Sequence, residues 1–396
     1  LQVADVIGAI RVLRGAMTQQ SIHRLRVNRL LVIAPNWVGD AVMTQPLLRL
    51  LKAERGVSHI TVFASQAVAA VYEMMPEVDA VIAHPLPHGG IQWRARWRYA
   101  QQLKALQFNA CVVLPNSLKS ALIPWLARIP YRWGYVGEWR YGVLTHPIDK
   151  LKSTVLISTN TAHTDPTQRV SMLAWYAQLA WYPQQHEATV IPSIQQITAQ
   201  AGEPRLQVAD DDIAAACEAF NLPKNHYIAL CPGAEYGKAK RWPTSHFGAL
   251  AQQLQQQYPA YPIIILGSPK DVTLGTEITA IAPQAINLCG KTSLKQAMAL
   301  IAGAAYLVAN DSGLMHIAAA LQRPQIAIFG SSDPRHTPPL SSVAHIEWLH
   351  LPCSPCFKRS CPLGHMNCLQ QIVPESIATV LMTHLATPPT ELLHEE

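Results

Sequence analysis

Charge is scarce in this chain. Only 14% of its 396 residues are Asp, Glu, Lys or Arg, against 49% hydrophobic, which excludes disorder and predicts a well-buried fold. Long hydrophobic runs are missing as well, none approaching the roughly 18 residues that span a bilayer. No secretory leader is evident, because Asp5 interrupts the apolar and basic stretch from Leu1 to Gln20 and no clear cleavage site follows. A cytoplasmic protein is therefore expected. Neither half carries a glycine fingerprint for a dinucleotide, and the spacing of a nucleoside triphosphate P-loop is absent, so an NAD oxidoreductase is disfavoured. Nor is there a helix-turn-helix or an aromatic-interleaved RNA signature, so nucleic acid is not expected as a partner.

The charge that is present is unevenly spread. Residues 1–150 hold 17 Lys and Arg against 8 Asp and Glu, a net of +9, whereas the remainder nets −3. A basic first half points to an acidic partner. The length exceeds what one ordinary core supports, so two domains are expected. Residues 1–28 are a basic lead-in; Leu1 is no ordinary initiator, and Met17 offers an alternative start. From Arg29 strand-like and helix-like segments alternate: Leu30–Ala34, Ala41–Glu54, His59–Ala64, Ala67–Met75, Ala80–Ile82, Trp93–Leu106 and Ala110–Leu114. This is the rhythm of a doubly wound parallel sheet. A first Rossmann-like domain over 29–190 and a polar connection over 191–207 are expected. A second such domain follows over 208–370, then a helix and tail over 371–396. Such sheets bind ligands at the carboxyl ends of their strands, so two of them face each other across a cleft with one substrate on each lip.

Three loops carry candidate chemistry. Pro35-Asn36-Trp37-Val38-Gly39-Asp40 follows the first strand and sets a carboxylate in the first turn of a helix. Pro232 to Pro243 follows the first strand of the second half and holds Gly233, Gly237, Lys238, Lys240 and Arg241, a composition suited to phosphate. Asn310-Asp311-Ser312-Gly313 separates a strand from a helix bearing His316 in its first turn. There Asp311 or Ser312 can cap the helix, Gly313 lets a ligand approach the backbone, and the helix N-terminus favours an anion. Each loop alone also reads as an ordinary βα turn.

Together, Gly39-Asp40, Lys240-Arg241-Trp242-Pro243 and Asn310-Asp311-Ser312-Gly313-Leu314-Met315-His316 strongly resemble the family-9 glycosyltransferases, over about Leu30 to Leu381. The resemblance implies a GT-B fold, with acceptor on the first domain and nucleotide sugar on the second. It implies inverting transfer of L-glycero-D-manno-heptose from ADP-heptose to the first heptose of the Kdo2-lipid A core of lipopolysaccharide. Asp40 matches the general base and Lys240 the lysine at the donor phosphates. Asp311, Ser312, Gly313 and His316 match the donor-binding motif, to which Gly233, Ala234 and Glu235 are added as candidates. No cofactor or metal is required, because cationic side chains and the helix dipole take the charge that Mg²⁺ carries elsewhere. Candidates for the acceptor are Asn36, Trp37, Arg94, Arg96, Arg98, Lys119 and Arg132, with Arg128 and Arg140 as further cations of that half. An acceptor of this kind also implies peripheral contact with the cytoplasmic face of the inner membrane. Alternatives are a type I or III heptosyltransferase, a non-catalytic nucleotide-sugar-binding protein, or a zinc-binding interaction protein.

Cys111, Cys217, Cys231 and Cys289 fall in or beside predicted elements and read as small buried hydrophobes. Cys353, Cys356, Cys361 and Cys368 cluster as C-x2-C-x4-C-x6-C around His365. In a reducing compartment that spacing raises a zinc site before disulfides, with a structural or redox-labile cluster as the other reading.

Overall fold

The computed structural model describes residues 27–86, 89–148, 169–181 and 191–386. The lead-in therefore lies outside the described residues save for its last two positions, as does the tail beyond 386. Two six-stranded parallel sheets form the frame. The first contains β1 (Arg29–Ile33), β2 (His59–Ser65), β3 (Ala80–His84), β4 (Ala110–Val113), β5 (Tyr131–Tyr135) and β6 (His146–Ile148), in the order β3-β2-β1-β4-β5-β6. The second contains β7 (Ile228–Cys231), β8 (Ile263–Ile265), β9 (Ile286–Asn287), β10 (Tyr306–Asn310), β11 (Gln325–Ile328) and β12 (Ala344–Glu347), in the order β12-β11-β10-β7-β8-β9. Counted within each half, both orders are 3-2-1-4-5-6, the doubly wound arrangement whose crevice opens where the winding reverses. That reversal lies between β1 and β4 in one sheet and between β7 and β10 in the other.

Central strands such as Leu30–Ile33 and Ile228–Cys231 are apolar and buried, as parallel strands covered by helices on both faces must be. Their helices differ in two places from expectation. The expected helix over 41–54 is two helices, Val38–Met43 and Gln45–Arg55. Pro46 has no N–H to offer the preceding turn, so the chain restarts at Thr44, whose Oγ1 donates to the Ala41 carbonyl at 2.6 Å. The polar connection contains a helix, Ile194–Ala201, closed at its start by a reciprocal Ser193–Gln196 capping box. Arg49 holds its end, donating to the carbonyls of Ala201 at 2.9 Å and Glu203 at 2.6 Å.

The two halves are not merely tethered. One apolar cluster runs from Leu30 and Val32 through Met43 and Tyr72 to Leu300, Met315 and Phe329, so the base of the cleft is a shared core. Around β4 and β5 the loops are stapled by buried arginines. Arg140 is fully buried and donates to the carbonyls of Tyr135 at 2.9 Å and Pro115 at 2.5 Å. Burial lowers its pKa to about 10, so it still carries its charge. Arg140→Ala should strip those carbonyls of their partner and cost about 3 kcal/mol or more. Exposed Arg94→Ala should stay within about 0.5 kcal/mol. Urea unfolding of the two variants measures the contrast, and equal effects would show that Arg140 staples nothing.

Candidate active site

The first wall of the cleft starts at the carboxyl end of β1. Asn36 and Trp37 are exposed there, and the helix Val38–Met43 begins with Trp37 in extended geometry. Asp40 sits in its first turn, half-buried against the opposite wall. Desolvation dominates its electrostatics, with Lys240 pulling its pKa down and Asp311 pushing it up; the net result is a carboxyl raised to about 6. A carboxylate so tuned is ionised at neutral pH yet basic enough to take a proton from a hydroxyl.

The second wall is built from three strand ends. After β7, Gly233 passes so near the buried Asp271 that a Cβ there would stand 2.7 Å from its carboxylate. Arg241 closes the same loop by donating to the Ala234 carbonyl at 3.2 Å. Glu235, by contrast, forms an exposed ion pair with Lys270. Lys240 ends a single 3-10 turn and pairs with buried Asp311, which follows β10. Asn310, whose role the sequence does not disclose, fastens the two loops together: its side chain accepts from the Trp242 amide at 2.9 Å and donates to the Pro232 carbonyl at 2.7 Å. The helix Gly313–Ala320 starts at Ser312, but no side chain caps it. The expected cap by Asp311 or Ser312 is therefore not made: Asp311 is committed to Lys240, and the Ser312 hydroxyl is buried with no hydrogen-bond partner.

The loop after β11 belongs to this wall as well, although sequence reasoning does not single it out. Ser331 and Ser332 are buried hydroxyls without partners, beside a fully buried Asp333 held by Arg335. A signal does exist, since Phe329-Gly330-Ser331-Ser332-Asp333 repeats the pattern of strand followed by small polar loop. Unpartnered buried hydroxyls and an uncapped helix start on adjacent strand ends make a site ready for an anion.

The walls touch. A Cβ on Gly39 would stand 2.6 Å from the His316 ring, and one on Gly313 would stand 2.7 Å from Val38. Glycine at both positions is what allows the two helix starts to meet. His316 is buried and its pKa falls to about 4 through desolvation, so it is a neutral spacer at neutral pH rather than an acid.

The basic residues expected on the acceptor side divide into two groups. Arg94 and Arg98 are exposed on the helix Trp93–Ala105, and Lys119 reaches back to the Gly89 carbonyl at 3.2 Å. Arg96 is buried and spent on the carbonyls of Ile91 and Lys119. Arg132 lies near the amino end of β5, away from the cleft, and donates to the carbonyls of Val143 and Ile129. Exposed Arg128 precedes β5 on that same side. Arg96, Arg132 and Arg140 are thus structural, a fate that charge counting cannot see.

The four buried cysteines pack as expected, and Cys353, Cys356, Cys361 and Cys368 are partly exposed free thiols. Among the described residues no group of three or more His, Cys, Asp or Glu is arranged to hold a metal. The cysteine-bearing segment braces the lysine loop. The Arg359 carbonyl accepts from Ala239 at 3.1 Å, and the Phe357 carbonyl accepts from the Tyr236 hydroxyl at 2.8 Å.

Two Rossmann-like sheets of one strand order, meeting at a cleft between a carboxylate wall and an anion-seeking wall, define a GT-B glycosyltransferase architecture. The profile of glycosyltransferase family 9 (heptosyltransferase) matches residues 96–367. The lipopolysaccharide heptosyltransferase 2 of Salmonella typhimurium strain LT2 is 37% identical, covering 90% of this chain and 99% of that protein. Its Escherichia coli K12 counterpart is also 37% identical, over 88% and 96%. The solved structure of E. coli ADP-heptose LPS heptosyltransferase II superposes with a TM-score of 0.75 at 34% identity, covering 90% of this chain and 98% of the other. The chain belongs to glycosyltransferase family 9.

Two consequences of this geometry are measurable. Gly39→Ala should drive a methyl into the buried His316 and shift Asp40, lowering kcat about ten- to a hundred-fold; a variant with wild-type turnover would show that the contact is not needed. Asp40 also opposes folding. Its carboxyl binds a proton more tightly folded (about 6) than at its ordinary 3.8, so the stability it removes grows as pH rises through that window and is complete above it. The stabilisation gained by Asp40→Asn should therefore increase by about 1–2 kcal/mol between pH 5 and pH 8. Urea unfolding at the two pH values tests this, and a pH-independent difference would place Asp40 in a water-like setting.

Proposed function

We propose that this glycosyltransferase moves L-glycero-D-manno-heptose from ADP-heptose, with inversion, to the first heptose of the Kdo2-lipid A core of lipopolysaccharide. The similarity to heptosyltransferase 2 proteins along nearly their whole length supports the substrate pair. The observation that carries the mechanism is the placement of Asp40 against Lys240 and Asp311 from the opposite wall.

In this reading Asp40 takes the proton from an acceptor hydroxyl. The oxygen attacks the anomeric carbon from the face opposite the diphosphate, the bond to the ADP oxygen breaks, and the configuration inverts. Lys240, the N–H groups at the start of the 313–320 helix and the hydroxyls of Ser312, Ser331 and Ser332 receive the charge that develops on the leaving diphosphate. Gly313 lets the diphosphate approach the backbone, and His316 keeps the helix start in place. Gly233 and Ala234 shape the donor loop, while Glu235 sits at its exposed rim. Asn36, Trp37 and Lys119 are the acceptor-side contacts. No metal is needed, since the positive groups are supplied by the chain. The acceptor is lipid-borne, so the enzyme works at the cytoplasmic face of the inner membrane as a peripheral protein. Among the described residues no helix is long and apolar enough to cross a membrane.

The test is an ADP-release assay with ADP-heptose and defined core acceptors bearing zero, one or two heptoses. Turnover is expected only with the one-heptose acceptor, unchanged by EDTA. Asp40→Asn should lower kcat about 10²–10⁴-fold with donor affinity retained. Lys240→Ala should weaken ADP and ADP-heptose together by about 1.5–3 kcal/mol. Preference for another acceptor would reassign the type, loss of activity on chelation would end the metal-free mechanism, and near-normal kcat in Asp40→Asn would remove the base.

A further inference from the structure

The described residues leave several large aromatic side chains in solvent, and most of them lie on one rim. Trp93 and Trp97 are one turn apart on the 93–105 helix and 52% and 53% exposed, with Ile91 just before them at 53%. Trp139 is 90% exposed, and Tyr141 beside it 46%. The start of the helix after β4 links the two groups. Arg96 ties the start of the 93–105 helix to the Lys119 carbonyl at 2.8 Å, and the next amide back, Leu118, donates to Glu138 at 2.8 Å. All follow the carboxyl ends of β3 and β5, the same edge of the first sheet from which Asp40 faces the cleft.

The backbone holds Trp139 outward at a cost. Glu138 and Trp139 have φ of 47° and 57°, left-handed conformations that bulky residues adopt rarely. Exposed apolar area gathered along one rim marks an interaction surface. Its chemistry is specific: residues 84–142 hold eight Lys and Arg and one acidic residue, Glu138. Arg94 and Arg98 flank the two tryptophans at the same helical spacing, both exposed and without an ion pair among the described residues. Tryptophan with arginine on one helix face is what the boundary between anionic headgroups and acyl chains accepts.

We propose that this rim is a bilayer-docking face: Trp93, Trp97 and Trp139 enter the interfacial layer of an anionic membrane while Arg94 and Arg98 pair with headgroup phosphates. The cleft then opens along the membrane surface, with Asp40 on the lipid-proximal domain. The proposal deepens the reading of a lipid-borne acceptor, and rests on it only for its purpose; docking itself requires no sugar.

Vesicle co-sedimentation with the full chain provides the test, using phosphatidylglycerol–phosphatidylethanolamine vesicles against neutral phosphatidylcholine vesicles. Wild type should prefer the anionic vesicles, and brominated acyl chains should quench part of its tryptophan emission. Trp93→Ser/Trp97→Ser should lose at least about ten-fold in partitioning together with that quenching. Arg94→Gln and Arg98→Gln should each lose about five-fold. The tryptophan variant should keep its kcat on a soluble, delipidated acceptor while its KM for a vesicle-embedded acceptor rises about ten-fold. Unchanged vesicle binding in that variant overturns the proposal, as does salt-sensitive binding without quenching, or a concentration-dependent dimer whose formation shields the same tryptophans. If docking follows this pattern but no heptose acceptor is used, the functional reading fails and the docking face stands.

Discussion

Everything the site can do depends on how closely two helix starts approach each other. Gly39 lies against His316 and Gly313 against Val38, with no room for a Cβ at either glycine. That contact brings a carboxylate from one sheet within electrostatic reach of a lysine–aspartate pair from the other. In water such charges would be screened to about 1 kcal/mol at 4 Å. Here desolvation dominates, and the carboxyl is held near 6 where an open cleft would leave it close to its ordinary value. The shared apolar core beneath, joining Met43 and Tyr72 to Met315 and Phe329, keeps the contact from being a transient collision.

The second wall depends on supports remote from it in sequence. Asn310 bridges the loops after β7 and β10, and Trp242 is pinned from the far side by the Ile372 carbonyl at 2.8 Å. The cysteine-bearing segment then presses Phe357 and Arg359 against Tyr236 and Ala239. The Tyr236 ring lies 5.2 Å from the Lys240 ammonium and 5.5 Å from the Arg359 guanidinium. A lysine on a one-turn 3-10 segment would otherwise sample many rotamers. Bracing of this kind turns a flexible cation into a preorganised one, which is what electrostatic stabilisation of a leaving group requires.

Much of this frame is legible in the amino-acid sequence. Apolar runs such as Leu30–Ile33 and Tyr306–Ala309 announce buried parallel strands, and the glycine-bearing loops after them mark the strand ends that line the cleft. Strand β5 and the edge strands β6, β9 and β12 are not legible, because Tyr131–Tyr135 and Ala344–Glu347 mix polar and aromatic residues and Ile286–Asn287 is only two residues long. The division of the arginines is hidden for a different reason. Arg96 and Arg140 serve carbonyls that become neighbours only after folding, so composition counts them as free charge. The hydroxyls of Ser331 and Ser332 carry a pattern readable in the sequence, but their lack of partners is a property of the packed site alone.

The two halves thus use one strand order for opposite electrical purposes. At the reversal point of the first sheet the helix start presents a carboxylate, Asp40, whose charge the neighbouring helix dipole and Lys240 tolerate but burial resists. At the reversal point of the second sheet the helix start is left uncapped, with buried hydroxyls around it, so its unpaired donors await an anion. Both arrangements carry a free-energy cost: a desolvated carboxylate on one wall and buried hydroxyls without partners on the other. The costs are complementary, because in the proposed transfer a proton reaches the first wall and negative charge the second in the same step. A protein selected only for stability would place asparagine at 40 and cap the helix at 312; this chain does neither, as the proposed transfer requires.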